Sequence, residues 1–310
     1  MILTIGTSLA LARSMTFDRL TLGEVNRAAE VLVAAAGKSS NVARVVATLG
    51  EATLATGVVG GLTGQALAEE LTRAGVPHDY VDSTVDTRVC VTVLDRATGA
   101  ATELVQEPSE MPSVDSDRLW EKLLLLVPRA RVAVMSGTLA PGVPGGFYAM
   151  VCRLARDAGV DALVDAHGPA LLATLSAEPW MVKPNRAELS ATLGWPVDSD
   201  ETLRRSMASL VDRGARGVAV TLGAEGAAMT PDGRTYLRAE APRVRVVSPI
   251  GSGDAFAAGL AVARRRGLPP EESLRFAVAC GTANALTARA GFVSPEDVDR
   301  LQTQVVVTRF

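Results

Sequence analysis

Aromatic residues are scarce, 4% of 310 residues. That leaves too few ring faces to build a base-stacking platform for nucleic acid. Positive charge is not concentrated either: Lys and Arg total 31 against 34 Asp and Glu, a net charge of −3. The densest basic patch, Arg264-Arg265-Arg266, closes a helical segment, where it complements the helix dipole in solvent. No nucleic-acid partner is expected. Cysteine is limited to Cys90, Cys152 and Cys280, far apart and odd in number. They read as small buried residues in a reducing compartment, and no Cys-x-x-Cys or Cys/His cluster points to zinc. Long apolar runs are missing, since Leu123–Val127 is far too short to span a membrane. The opening MILTIGTSLALARS lacks the basic region, apolar stretch and cleavage site of a signal peptide and reads as a first strand. A cytoplasmic protein without membrane contact is the expectation.

What is present is alternation. Short β-branched runs (Met1–Ile5, Thr53–Val59, Val132–Met135, Ala162–Val164, Gly217–Thr221) alternate with helix-period segments (Asn41–Leu49, Leu62–Ala74, Trp120–Val127, Phe147–Ala158). The chain closes on a helical stretch, Ala255–Ala288. Such alternation predicts an α/β fold with a mostly parallel sheet covered on both faces, and ligands at the carboxyl ends of its strands. Two segments interrupt the pattern. Phe17–Asn26 reads as short strand and turn, and Thr87–Leu94 with Thr102–Val105 reads as a β-hairpin around Ala97-Thr98-Gly99. Together they predict a small lid sheet from inserted segments at about 10–30 and 86–107, interleaved with one domain spanning 1–310.

Four motifs carry chemistry. In Ser248-Pro249-Ile250-Gly251-Ser252-Gly253-Asp254-Ala255-Phe256, backbone N–H groups and one carboxylate meet at a helix start. Such donors bind phosphates, and the carboxylate can take a proton from an attacking hydroxyl. A tight turn feeding a packed helix explains the same residues structurally. The stretch is neither a Walker loop nor a dinucleotide fingerprint, because Phe256 stands where a third glycine belongs. In Val182-Lys183-Pro184-Asn185-Arg186-Ala187-Glu188-Leu189, the oxygens of Asn185 and Glu188 share a helix face and suit a water-rich Mg²⁺ site. A capping box accounts for that pair equally well. Ala36-Gly37-Lys38-Ser39-Ser40-Asn41 supplies a turn, a cation and an amide, or simply an N-capped helix. Val220-Thr221-Leu222-Gly223-Ala224-Glu225-Gly226 is a glycine turn between strands.

Taken in order, Gly-Lys-x-x-Asn, Lys-Pro-Asn-x-x-Glu, Thr-Leu-Gly-x-x-Gly and Gly-Ser-Gly-Asp resemble the ribokinase-like PfkB carbohydrate kinases over nearly the whole chain. The nearest likeness is to the branch of 1-phosphofructokinase and tagatose-6-phosphate kinase. Leu22–Arg27, Ser136–Pro144, Ala279–Ala285 and Ser294–Val298 fit the same branch. The resemblance implies a three-layer α/β/α fold with a β-sheet lid, ATP as donor, Mg²⁺, and a sugar or sugar-phosphate acceptor. It implies Asp254 as catalytic base, with the backbone of Gly251, Ser252 and Gly253 holding the transferring phosphoryl charge. Asn185 and Glu188 match the magnesium motif, and Lys183, Thr221, Gly223, Gly226 and Asn284 the nucleotide side. Lys38, Arg88 and Ser136 match the grip on the acceptor's phosphate, beside Gly37 and Asn41. Relatives often pair their lids, so a homodimer is implied as well.

The chain departs from this pattern at the acceptor. The branch ends its first strand Asn-Pro-x-x-Asp, and that aspartate holds sugar hydroxyls. Here the run is Ser8-Leu9-Ala10-Leu11-Ala12, with Ala12 at the aspartate position. Losing a carboxylate bound to two hydroxyls costs several kcal/mol of acceptor binding, at roughly 1.5–3 for each charged hydrogen bond. An atypical acceptor follows as the expectation. Two other readings are a catalytically silent sugar-phosphate or nucleotide sensor, and a kinase for an unphosphorylated sugar, nucleoside or specialised metabolite.

Overall fold

The computed structural model describes residues 1–310. In chain order its strands are β1 (Ile2–Gly6), β2 (Ala10–Phe17), β3 (Glu30–Ala36), β4 (Thr53–Gly60), β5 (Val81–Ser83), β6 (Arg88–Asp95) and β7 (Ala100–Val105). There follow β8 (Val132–Ser136), β9 (Asp161–Asp165), β10 (Met181–Val182), β11 (Val218–Thr221), β12 (Ala227–Thr230), β13 (Leu237–Ala239) and β14 (Val307–Arg309). The α-helices are α1 (Lys38–Thr48), α2 (Gly61–Arg73), α3 (Ser113–Leu126), α4 (Phe147–Asp157), α5 (Gly168–Leu175), α6 (Arg186–Leu193), α7 (Asp200–Asp212), α8 (Ser252–Arg266), α9 (Pro270–Ala285) and α10 (Pro295–Gln302).

Ten strands form the main sheet in the order β14-β13-β12-β11-β10-β9-β8-β1-β4-β5. Pairing is parallel from β11 through β5 and antiparallel from β11 through β14. Alternate strand residues feed two cores, as period-2 geometry requires. Leu3, Ile5 and Met135 pack with Leu119, Tyr148 and Leu203 on one face. Ile2, Val132, Val134 and Leu163 pack with Val45, Phe256, Leu274 and Val298 on the other. This is a three-layer α/β/α arrangement. Helix α8 has Ala255–Ala263 buried without a break, and its small residues admit α9 closely: a Cβ on Gly259 would lie 2.7 Å from the Ala277 Cα. No helix is long and apolar enough to cross a membrane.

The smaller sheet has the order β3-β2-β6-β7, antiparallel except for the parallel β2–β6 pair. The hairpin of β6 and β7 lies where its alternation puts it. The first inserted segment is displaced: the strands are Ala10–Phe17 and Glu30–Ala36, and residues 18–29 between them form turns. Asn26 closes that turn by bonding the backbone of Thr21 and Glu24. The run Ala10-Leu11-Ala12 has little strand propensity of its own and is extended by pairing with β6. The closing stretch is also corrected. Gly267, in the left-handed conformation at φ 72°, ends α8, and after α9 the chain forms α10 and edge strand β14.

Candidate active site

The carboxyl ends of β9, β10 and β11 face the start of α8 across a cleft of about 910 Å³. That is room for a nucleotide-sized ligand. One wall is Lys183, Asn185 and Glu188; another is Thr221, Gly223 and Gly226; the floor is Gly251, Ser252, Gly253 and Asp254. All are residues singled out by the sequence motifs.

Gly251 is left-handed at φ 84°, and a Cβ there would lie 2.8 Å from the Ala290 Cα, so only glycine makes this turn. Gly251 N–H and Gly253 N–H have no protein acceptor, whereas Ser252 N–H bonds the Pro249 carbonyl at 3.2 Å. Two rather than three backbone donors are therefore free at this helix start. Asp254 is 6% exposed and its Oδ2 accepts from Asn41 Nδ2 at 2.7 Å. Burial, and then the nearby Asp165 carboxylate, push the Asp254 pKa up to about 7. A carboxyl poised there is suited to accept a proton at neutral pH.

Asp165 ends β9, fully buried, and the sequence motifs did not include it. Its Oδ1 lies 3.2 Å from Lys183 Nζ and 3.4 Å from Lys38 Nζ, and its Oδ2 accepts from Ser136 at 3.1 Å. Burial alone would raise its pKa, but the charges of Lys183 and Lys38 hold it below the ordinary value. Burial likewise opposes the charge on Lys38, yet Asp165, Glu188 and Asp254 hold its ammonium above the usual range. The signal for Asp165 was a lone carboxylate after an apolar strand, Ala162-Leu163-Val164-Asp165, at the end where ligands gather.

Asn185 and Glu188 form the capping box of α6, Asn185 Oδ1 accepting from Glu188 N–H and Glu188 Oε2 from Asn185 N–H, both at 2.8 Å. The structural reading of this pair is therefore realised. It leaves Glu188 Oε1 facing the cleft, 3.6 Å from Lys38 Nζ and 3.7 Å from His167 Nδ1. No group of three or more His, Cys, Asp and Glu side chains is arranged to hold a metal by itself. One open carboxylate oxygen does fit Mg²⁺, which keeps most of its waters and takes further oxygens from phosphates.

The acceptor-side residues are not all brought together. Lys38 and the buried Ser136 both bond Asp165, and Lys38 and Asp165 line the large cleft, away from Arg88, so the three residues do not form one cationic cluster. Arg88 lines a separate recess of about 50 Å³ with Thr7, Ser8, Gly60 and Thr87. Its Nη1 donates to the Gln106 carbonyl at 3.0 Å, while its Nε and the Ser8 hydroxyl are buried without partners. Gly37, at φ 100°, turns the chain from β3 into α1. Ala12 lies on β2 between Ala34 and Cys90 and presents no hydrogen-bonding group. Asn284 is corrected: it is fully buried and does not line the cleft. Its amide instead ties the Ile250 carbonyl to Gly291 N–H, each at 2.8 Å, and so braces the turn carrying Gly251.

Residues 2–297 match the model of the pfkB family carbohydrate kinases. The chain is 31% identical over 310 residues to a tagatose-6-phosphate kinase of Staphylococcus epidermidis, covering 99% of both. Its structure is similar to that of Escherichia coli phosphofructokinase-2 in complex with fructose-6-phosphate, with TM-score 0.88 and 27% identity over 98% of this chain and 97% of that one. The fold also matches Arabidopsis thaliana ribokinase complexed with ribose and ATP, TM-score 0.78 at 24% identity over 97% and 98% of the two chains.

Proposed function

The chain belongs to the pfkB family of carbohydrate kinases, and on that premise we propose that it transfers the γ-phosphate of ATP to a hydroxyl of a phosphorylated sugar, with Asp254 as the base. The observation that carries this reading is Asp254 itself: buried at a helix N-terminus, bonded by Asn41, with a pKa of about 7 beside two free backbone donors. Asp254 accepts the proton of the acceptor hydroxyl. The resulting oxygen attacks the γ-phosphorus, the bond to the β-phosphate bridging oxygen breaks, and ADP leaves. Gly251 N–H, Gly253 N–H and the ammonium groups of Lys38 and Lys183 stabilise the charge of the transferring group. Mg²⁺, when bound, screens the phosphate charges, and Glu188 Oε1 is the oxygen that would hold it.

Arg88 and Ser8 are proposed to take the phosphate already on the acceptor, because both leave buried polar atoms unpaired in one recess. The tagatose-6-phosphate kinase and phosphofructokinase names of the relatives support a phosphorylated acceptor. Ala12 removes a carboxylate from β2, which supports an acceptor different from those of the relatives. The small sheet acts as lid, and through it the chain forms a homodimer. Val33, Arg13, Val91 and Leu104 fall in one register row, and Val31, Val33 and Leu104 are exposed large apolar residues. A cytoplasmic location is consistent with the absence of any membrane-spanning helix.

The test is ADP release with Mg-ATP against a panel of sugar phosphates and free sugars, with Asp254→Ala as control. Turnover with a sugar phosphate that disappears in Asp254→Ala is expected. ATP binding without turnover on any acceptor would instead favour the sensor reading, and undiminished turnover in Asp254→Ala would remove Asp254 from its role.

A further inference from the structure

A buried ion pair outside the cleft is used by none of the chemistry above. Arg44 on α1 and Glu70 on α2 are 3% and 9% exposed, and Arg44 Nη2 donates to Glu70 Oε2 at 2.6 Å. Both also grip one residue of edge strand β3. Ala35 N–H donates to Glu70 Oε2 at 2.9 Å, and the Ala35 carbonyl accepts from Arg44 Nη2 at 3.1 Å. The pair thus occupies the hydrogen-bonding edge that a further strand would take, at the root of the small sheet.

The other side of Arg44 faces Phe292, in the segment that packs on the Gly251 turn. Its guanidinium stacks on the Phe292 ring, 4.6 Å from the centroid, and Arg289 stacks on the same ring at 3.7 Å. Arg44 Nε and Nη1 and Arg289 Nε have no other partner, so the ring is their main compensation. The segment 289–292 presses on both parts of the base assembly. A Cβ on Gly291 would lie 2.7 Å from the Asn41 Cα, and one on Gly251 would lie 2.8 Å from the Ala290 Cα. Asn41 in turn holds Asp254.

We propose that Arg44, Glu70 and Phe292 are positioning residues that couple the root of the small sheet to the Asp254 turn, so that the seating of β3 sets the orientation of the base. The contacts run without a gap from Ala35 through Glu70 and Arg44 to Phe292, and from Gly291 to Asn41 and Asp254. A rigid packed path of this kind transmits displacement because its parts have no slack. The coupling rests on the reading of Asp254 as base; the geometry of the path does not.

Two variants strike the path at different links. Phe292→Leu removes the ring and leaves the ion pair. Glu70→Gln keeps an acceptor for Ala35 N–H and removes the charge. Coupling is reciprocal. Phe292→Leu is therefore expected to speed amide exchange at 31–36 at least fivefold, and Glu70→Gln to do the same at 250–254 and 289–292. Each is expected to lower kcat at least tenfold with the KM for ATP changed less than twofold, and the double variant to be no slower than the worse single one. Faster exchange confined to the neighbourhood of each replacement, or kcat losses that multiply, would overturn the proposal. Should Glu70→Gln fail to fold, the exchange at 31–36 and the kcat of Phe292→Leu decide alone. Full turnover by Asp254→Asn would sink the base reading instead, while the exchange pattern would still judge the path.

Discussion

Asp254, the proposed base, is buried, and that burial has consequences for stability as well as rate. A carboxyl raised in the folded state to about 7, well above the ordinary aspartate range, binds its proton more tightly than in the unfolded chain. Its contribution is fully present below pH 4 and is lost as pH rises toward 7, so the folded protein carries a penalty on the order of a few kcal/mol above that range. Asp254→Asn should therefore melt higher than the wild type at pH 8, with the difference shrinking toward pH 4 in a series of thermal scans. The same variant should lose about 10²–10⁴-fold in kcat, the usual share of a general base. For the wild type, kcat/KM should rise with pH up to about 7 as Asp254 ionises and then level off, measured in steady-state assays from pH 5 to 9. Arg88→Ala should raise the acceptor KM by roughly 10- to 100-fold, the worth of one or two charged hydrogen bonds, and leave the KM for ATP unchanged.

At the level of elements, the proposed ligand contacts sit at helix starts. The turn into α8 is held by one backbone conformation. Gly251→Ala would force a Cβ against Ala290 from a left-handed φ of 84°, costing about 1–2 kcal/mol in backbone strain and more in contact. The expected result is a lower Tm together with a raised KM for ATP, since the displaced turn carries both free N–H groups. The start of α6 shows one motif serving two purposes. Its capping box consumes Glu188 Oε2 and Asn185 Oδ1, and the remaining Glu188 oxygen is what faces the cleft. Asn185→Ala should cost about 1 kcal/mol of stability in denaturant titration. The Mg²⁺ concentration giving half-maximal rate should change little, because the backbone N–H of residue 185 that orients Glu188 Oε2 is kept by alanine.

For the molecule as a whole, the two sheets divide the labour. The ten-stranded sheet builds a rigid floor whose strand ends bring Asp165, Lys183 and Thr221 together. The small sheet carries Arg88 and Ala12 and exposes Val31, Val33 and Leu104 beside Arg13 on one face. Light scattering after size exclusion at micromolar concentration should report a dimer. Replacing Val33 and Leu104 together by Lys should give monomers, and a wild-type monomer would remove the lid–lid contact.

Much of this was readable in the chain. Period-2 and period-3.6 patterns located the parallel sheet and most helices, since apolar spacing follows directly from which face is buried. Gly251-Ser252-Gly253-Asp254 and Lys183-Pro184-Asn185 were found because glycine turns and helix caps are local, and local geometry is written in adjacent residues. Strand β2 was not, because alanines extend only when a neighbouring strand pairs with them. Asp165 escaped because its meaning is non-local: a lone carboxylate becomes significant when Lys38 and Lys183, 127 and 18 residues away in sequence, converge on it. The same holds for the separation of Arg88 from Lys38, the burial of Asn284, and the run of contacts through Arg44 and Phe292. Which turns bind an anion is decided by the sequence near them, whereas which charges share a cavity, and which carboxyl is left protonated there, depends on how distant segments exclude water together.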